Sequence, residues 1–247
     1  MSSLLEIEEN KIVSPDVFQN QLGLLNLSFS NCLKNFKIGP RACKSEAVLM
    51  DQFLSLDDQT QMGLFRRLEL SRELLIEIEK ESQTPDLWEI TVDQEIKFLR
   101  RALEAFNLKL SDESVLDRIK EGDIFEVYNS ESIQIYRSWS LFEHTSYSLS
   151  DLLIYSWDEL YDRPTFVRKY LYKMVDSLLV QRKKFHAYDI PAYFIVERMP
   201  EVKNKMLFQM EYAVATLDCK TKEPVGLLTT GKARNINTEI SNGMHFI

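Results

Sequence analysis

The sequence predicts an α+β protein. A helical region over residues 1–121, either a bundle or a dimerisation element, precedes a five-stranded antiparallel sheet with helices on one face over residues 122–247. Three observations predict this. Apolar residues recur at helical spacing almost throughout the first 121 positions. From Gly122 the periodicity shortens to that of strands. Ser14-Pro15, Thr91 with Gln94, and Pro164 stand where helix starts are needed. With 247 residues, 45% of them apolar, the chain can bury a sizeable core.

Ser14 suits an N-cap and Pro15 the first helical position. Val17, Leu22, Leu25, Phe29, Leu33 and Phe36 then form an apolar stripe, which Gly39-Pro40 stops. Residues 42–54 form a short second helix. A third runs from Asp57 to Ser82, with Leu64, Phe65, Leu68, Leu75 and Ile78 on one face, until Thr84-Pro85 breaks it. In the fourth, Thr91 and Gln94 fit a capping box. Val92, Ile96, Leu99, Leu103 and Phe106 follow at spacings of 4, 3, 4 and 3, a narrow seam that packs against another helix. That helix belongs either to the same bundle or to a second copy, so the seam marks these five residues as candidates for homodimerisation.

In the second half, Ile124–Tyr128 and Ile133–Arg137 read as strands of a hairpin, with Asn129-Ser130-Glu131-Ser132 between them. Helical segments follow at 148–161, capped by Ser148 and Asp151, and at 164–184, with Pro164 at its first position. Strands at 190–198, 205–218 and 224–234 complete the chain. They are joined by polar turns around Pro200 and Lys220–Glu223.

This order of two strands, helices and three strands resembles the PAS superfamily of sensory modules. Particular stretches carry the resemblance. Tyr147–Leu153 resembles the family's "GYSxEEL" helix start, and Trp157–Tyr161 the segment after it. Met206–Leu217 resembles the long fourth strand, and Pro224–Leu228 the "xxGxxG" turn into the last. Ser146 and Ile154 replace family glycines, Tyr161–Pro164 replaces "HPED", and Asn235-Ile236 replaces the final "DIT". The likeness covers residues 122–236 and implies a PAS-like sheet curved around a small cavity.

Strand alternation turns Met206, Phe208, Met210, Tyr212 and Val214 inward. These bulky side chains either plug the cavity or line a pocket. The candidate ligand-binding residues are Tyr136, His144, Tyr147, Trp157, Phe208, Met210 and Tyr212. No cofactor is expected. Light-sensing flavin members of the family carry an Asn-Cys motif, and residues 148–165 lack cysteine. The helix over 164–184 offers no histidine to haem. Three cysteines, Cys32, Cys43 and Cys219, without a CxxC pair point to reduced thiols rather than a zinc site or a disulfide framework. Phosphate-loop, dinucleotide, zinc-protease and nucleophile-elbow motifs are absent from the sequence, so no enzymatic role is expected.

The net charge is −8, and residues 1–120 carry 21 acids against 15 bases, which disfavours nucleic acid as a partner. With no signal-like or membrane-spanning stretch, a cytoplasmic location is expected. Three functions are consistent with this. The first is a signalling module that senses a small ligand or docks a partner, and passes the signal through its N-terminal helices or another protein. The second is a protein–protein adaptor with a filled cavity. The third, opposed by the charge, is a DNA-binding regulator.

Overall fold

The computed structural model describes residues 13–39, 46–82, 90–198 and 204–236. The expectations for Cys43, Thr84-Pro85 and the Pro200 turn lie outside them. The expected helices form close to their expected bounds: α1 (Pro15–Asn35), α2 (Glu46–Ser55), α3 (Asp58–Ser82) and α4 (Val92–Ala105). Ser14 Oγ accepts from the amide of Val17, and Pro15 occupies the first turn. The capping box forms: Thr91 N donates to Gln94 Oε1 (2.9 Å), and Gln94 N to Thr91 Oγ1 (3.4 Å). α1 packs along α3, where Asn31 Nδ2 donates to Glu79 Oε1 and Asn35 Nδ2 to Ser82 Oγ. Phe18 of α1 stacks on Phe53 of α2 at 3.8 Å between ring centroids.

The sheet is antiparallel throughout but has eight strands, not five. They are β1 (Leu108–Leu110), β2 (Ile124–Asn129), β3 (Gln134–Arg137), β4 (Tyr161–Asp162), β5 (Phe185–Ala187), β6 (Tyr193–Glu197), β7 (Lys205–Asp218) and β8 (Pro224–Asn235). The order is β3-β2-β8-β7-β6-β4. β8 pairs with β7 along almost its whole length. The other edge of β7 is shared by β6 at Lys205–Phe208, β5 at Tyr212–Val214 and β1 at Thr216–Asp218. The three extra strands span two or three residues each, too short to show alternation. β1 lies before the expected boundary at residue 122, so the helical half contributes a strand to the sheet.

Between the hairpin and β6 the chain forms short helices: α5 (Leu141–His144), α6 (Leu149–Ile154), α7 (Trp157–Leu160) and α8 (Thr165–Val175). α8 ends in a π-helical turn, Asp176–Val180. Ser148 and Asp151 cap α6 as expected. The single helix expected over 148–161 is interrupted at Tyr155-Ser156, where both residues are extended.

Both faces of the sheet are covered, which corrects the expectation of helices on one face. Ile124 through Tyr128 and Gln134 through Arg137 are all buried, leaving these strands no solvent side. Cross-strand partners share a face. The register therefore puts Val127, Tyr136, Leu228 and Val214 on one face, and Glu126, Arg137, Thr229 and Ala213 on the other. α4 approaches the first face, where Val92 and Glu95 share a groove with Phe125. On the same face Arg118, from the 3-10 turn Glu113–Arg118, lies over the rings of Phe185 and Tyr212. α7 and α8 cover the second face.

Helices and sheet share one hydrophobic core, from Phe18 and Leu22 in α1 to Val214 and Leu228 in the sheet. The α4 seam is absorbed into it. Leu99 and Leu103 are buried, while Val92, Ile96 and Phe106 are half-buried and packed on the same core. Of the two readings of the 4-3-4-3 spacing, the contact within one chain is the one observed. Leu99→Asp places a charge at a fully buried position. We predict loss of cooperative unfolding by circular dichroism, with no dissociation step by light scattering. A folded variant of halved mass would contradict this.

α4 also carries a buried carboxyl that the sequence analysis passed over. Glu95 Oε1 accepts from the amides of Trp139 (2.8 Å) and Ser140 (3.2 Å), tying α4 to the chain between β3 and α5. Burial outweighs these bonds and raises its pKa from an ordinary 4.5 to about 8. Folding therefore favours the protonated form. Its contribution to stability is fully present below pH 4.5 and is lost as pH rises through about 8. Glu95→Gln keeps an acceptor for both amides and does not titrate. The variant should show a flatter stability profile over that range, and at pH 9 exceed the parent by on the order of 4 kcal/mol. Parallel urea-denaturation profiles for the two proteins would contradict the assignment.

Candidate functional site

The second face of the sheet and helices α7 and α8 enclose a small cavity. Glu126 and Tyr128 of β2, Tyr193 of β6, Phe208 and Met210 of β7, and Leu227 and Thr229 of β8 form its floor. Trp157, Arg163, Leu171, Met174 and Val175 close it from the helical side. Its volume is about 40 Å³. A water needs roughly 10–15 Å³ on this measure, and small-molecule pockets run to several hundred. The cavity therefore has room for water and none for an organic ligand.

Three of the seven candidate residues, Trp157, Phe208 and Met210, line this cavity. The other four do not. Tyr136, paired with Val127, belongs to the opposite face and packs toward Leu75 and Ile78 of α3. Tyr147 is fully buried as a structural tether, its hydroxyl donating to the carbonyl of Leu160 and accepting from the amide of Arg198. His144 is half-buried at the end of α5, away from the cavity lining. Tyr212 is turned to the other face by a bulge. The β7–β8 register shifts between Met210 and Tyr212, so Met210 pairs with Gly231 but Tyr212 with Thr230. The alternation that places Phe208 and Met210 inward thus reverses, and Tyr212 packs on Phe185 (5.5 Å). Gly231 marks the spot, since a Cβ there would lie 2.6 Å from the carbonyl oxygen of Gln209.

The polar residues of the cavity are ones the sequence analysis did not single out. Glu126 is buried under the sheet, with Gln134 Nε2 donating to its Oε1 and to Tyr128 Oη (2.9 Å). Burial pushes its carboxyl up, and Arg163, then Tyr128 and Arg137, oppose the shift. Burial lowers Arg137 to about 10, well above neutral pH, so it keeps its charge. Arg163 is the wedge. Its guanidinium lies over the rings of Trp157 (4.6 Å) and Tyr161 (5.1 Å), and Nη1 donates to the carbonyl of Trp157 (2.7 Å). It is the cation that lines the cavity.

Glu197 is a second buried carboxylate, at the sheet edge. It accepts from Thr145 Oγ1 (2.6 Å), Ser146 N (2.7 Å) and Asn204 N (3.2 Å), holding the α5–α6 loop to β6. Ser146 thus has a structural partner. Among the described residues no group of three or more His, Cys, Asp or Glu side chains is arranged to hold a metal ion. Nor is any helix among them long and apolar enough to cross a membrane.

Comparison with protein-family models finds no match, and no curated protein matches the chain.

The arrangement around Glu126 is a buried cluster of charged and hydrogen-bonded side chains. Removing one partner leaves the others uncompensated. Glu126→Ala should therefore cost about 3–5 kcal/mol in urea denaturation, and Glu126→Gln less, because the amide keeps an acceptor for Gln134. An alanine variant within 1 kcal/mol of the parent would show that Arg163 and Arg137 do not depend on it.

Proposed function

We propose that this chain is a PAS-like signalling module that works by docking a protein partner, as an adaptor, rather than by holding a ligand beneath its sheet. The observation that carries this reading is the filled cavity: Trp157, Phe208, Met210 and the Glu126–Arg163 cluster leave about 40 Å³. The PAS-like part of the proposal draws on the antiparallel sheet, the α6 cap at Ser148 and Asp151, and the chain order of the β2–β3 hairpin, short helices, and strands β6, β7 and β8. The docking part draws on Phe166, Val180 and Phe194, which stand exposed in the sheet half.

Other expectations fare differently. The homodimer draws no support from the α4 seam, whose Leu99 and Leu103 lie in the chain's own core. The DNA-binding alternative is disfavoured by the excess of acids over bases in the helical half. A non-enzymatic, cytoplasmic role remains part of the proposal.

Protein purified under native conditions, then denatured and analysed by mass spectrometry with an ultraviolet-visible spectrum, should release no stoichiometric small molecule and absorb only as its aromatic residues do. A molecule retained at one per chain, and lost when Met210→Trp fills the residual space, would overturn the adaptor reading in favour of ligand sensing.

A further inference from the structure

Residues 163–184 hold seven Lys and Arg against one acid, Asp176, in a chain whose net charge is −8. This reversed balance falls on α8, its π-helical turn and the residues just after them. Some of these cations are answered. Arg163 lines the cavity, Arg168 pairs with Asp158 (2.7 Å), and Arg182 pairs with Glu223. Lys169, Lys173, Lys183 and Lys184 are exposed and make no ion pair with a described residue. The acids nearby do little to offset them. Asp176 Oδ2 accepts from Gln181, and Asp112 is acted on by Lys184 without a bond to it.

Apolar side chains stand among these lysines. Val167, Leu171 and Met174 are buried in the shared core, so α8 places its apolar stripe there. Phe166 is nevertheless 55% exposed, Tyr172 53%, and Val180 in the π-helical turn 71%. Phe166, Lys169 and Lys173 follow one another at spacings of three and four residues and share one side of the helix. Tyr172 stands one turn beyond Lys169, with its hydroxyl donating to Asp158 (2.9 Å) and its ring at the surface. Phe194 does not join them, because it follows the cavity-lining Tyr193 and lies on the other side of the sheet.

Exposed rings beside unpaired ammonium groups suit a partner that brings both apolar side chains and carboxylates. Lipid fits less well. A helix lying in a membrane surface sinks its apolar stripe there, and this stripe is already buried. Nucleic acid also fits less well, since the net charge of the chain repels a polyanion. We propose that the outer side of α8 docks an acidic, amphipathic segment of a partner protein, with carboxylates on Lys169 and Lys173 and apolar side chains on Phe166 and Val180. The inference rests on the adaptor reading and gives its partner a chemistry.

The test is fluorescence anisotropy of the full chain with a labelled peptide of about fourteen residues, leucine and glutamate at helical spacing, at about 50 mM salt. Saturable binding at one peptide per chain is expected. It should be at least about tenfold weaker in Lys169→Glu/Lys173→Glu and in Phe166→Ser, and unchanged within about twofold in Lys34→Glu/Lys80→Glu, which alters net charge equally on exposed sites of α1 and α3. Unchanged urea midpoints establish that the α8 variants are folded. Equal loss in both double variants would mean diffuse attraction, and no saturable binding would mean no site; either overturns the assignment. So would tighter, α8-dependent binding to phosphatidylserine vesicles or to an oligonucleotide. A small molecule retained beneath the sheet would sink the adaptor reading alone, while loss of the α8 dependence sinks only this surface.

Discussion

A sheet buried on both faces has no side on which a polar residue can simply meet water. That constraint organises this molecule. Ile124 through Tyr128 are consecutively buried, and Glu126 sits in the middle of them. Once α4 covers one face and α7 and α8 the other, every charge on the strands must be answered by another side chain. Gln134, Tyr128, Arg137 and Arg163 answer Glu126. Thr145, Ser146 and the amide of Asn204 answer Glu197. These clusters hold the short helices to the sheet and occupy the space beneath it, leaving about 40 Å³.

The same constraint sets the surroundings of two buried carboxyls. Beneath the sheet Gln134 donates to Glu126 and to Tyr128, and the residual space suits water. On the α4 face Glu95 Oε1 accepts from the backbone amides of Trp139 and Ser140. Burial raises both carboxyls, but Glu126 has the buried Arg137 and the half-buried Arg163 as counter-charges, and Glu95 has none.

Local signals were readable and non-local ones were not. The caps at Ser14, Thr91 and Ser148 involve residues three apart and form as expected, and the strand at 205–218 has its expected bounds, with alternating burial over Lys205–Met210. The bulge after Met210 adds one residue and reverses the side of everything beyond it, so Tyr212 was assigned to the wrong face. β1 and β5 exist only because β7 offers them an edge, and three residues carry no period of their own. Glu126 between Phe125 and Val127 reads as a solvent-facing position unless the sheet is known to be covered twice. The 4-3-4-3 seam on α4 was legible as a contact, but spacing alone does not say whether the partner is another chain or this chain's own core.

Helices and sheet are therefore joined by one core that crosses the expected boundary at residue 122, with β1 and Glu95 as ties from the N-terminal side. The most direct test is urea unfolding of the full chain, followed at once by far-UV circular dichroism, by tryptophan fluorescence, and by amide hydrogen exchange at Leu74 in α3 and Leu228 in β8. One coincident transition with a single midpoint is the expected result. Separate transitions, with α3 opening while β8 stays protected, would contradict a shared core and restore two independent halves.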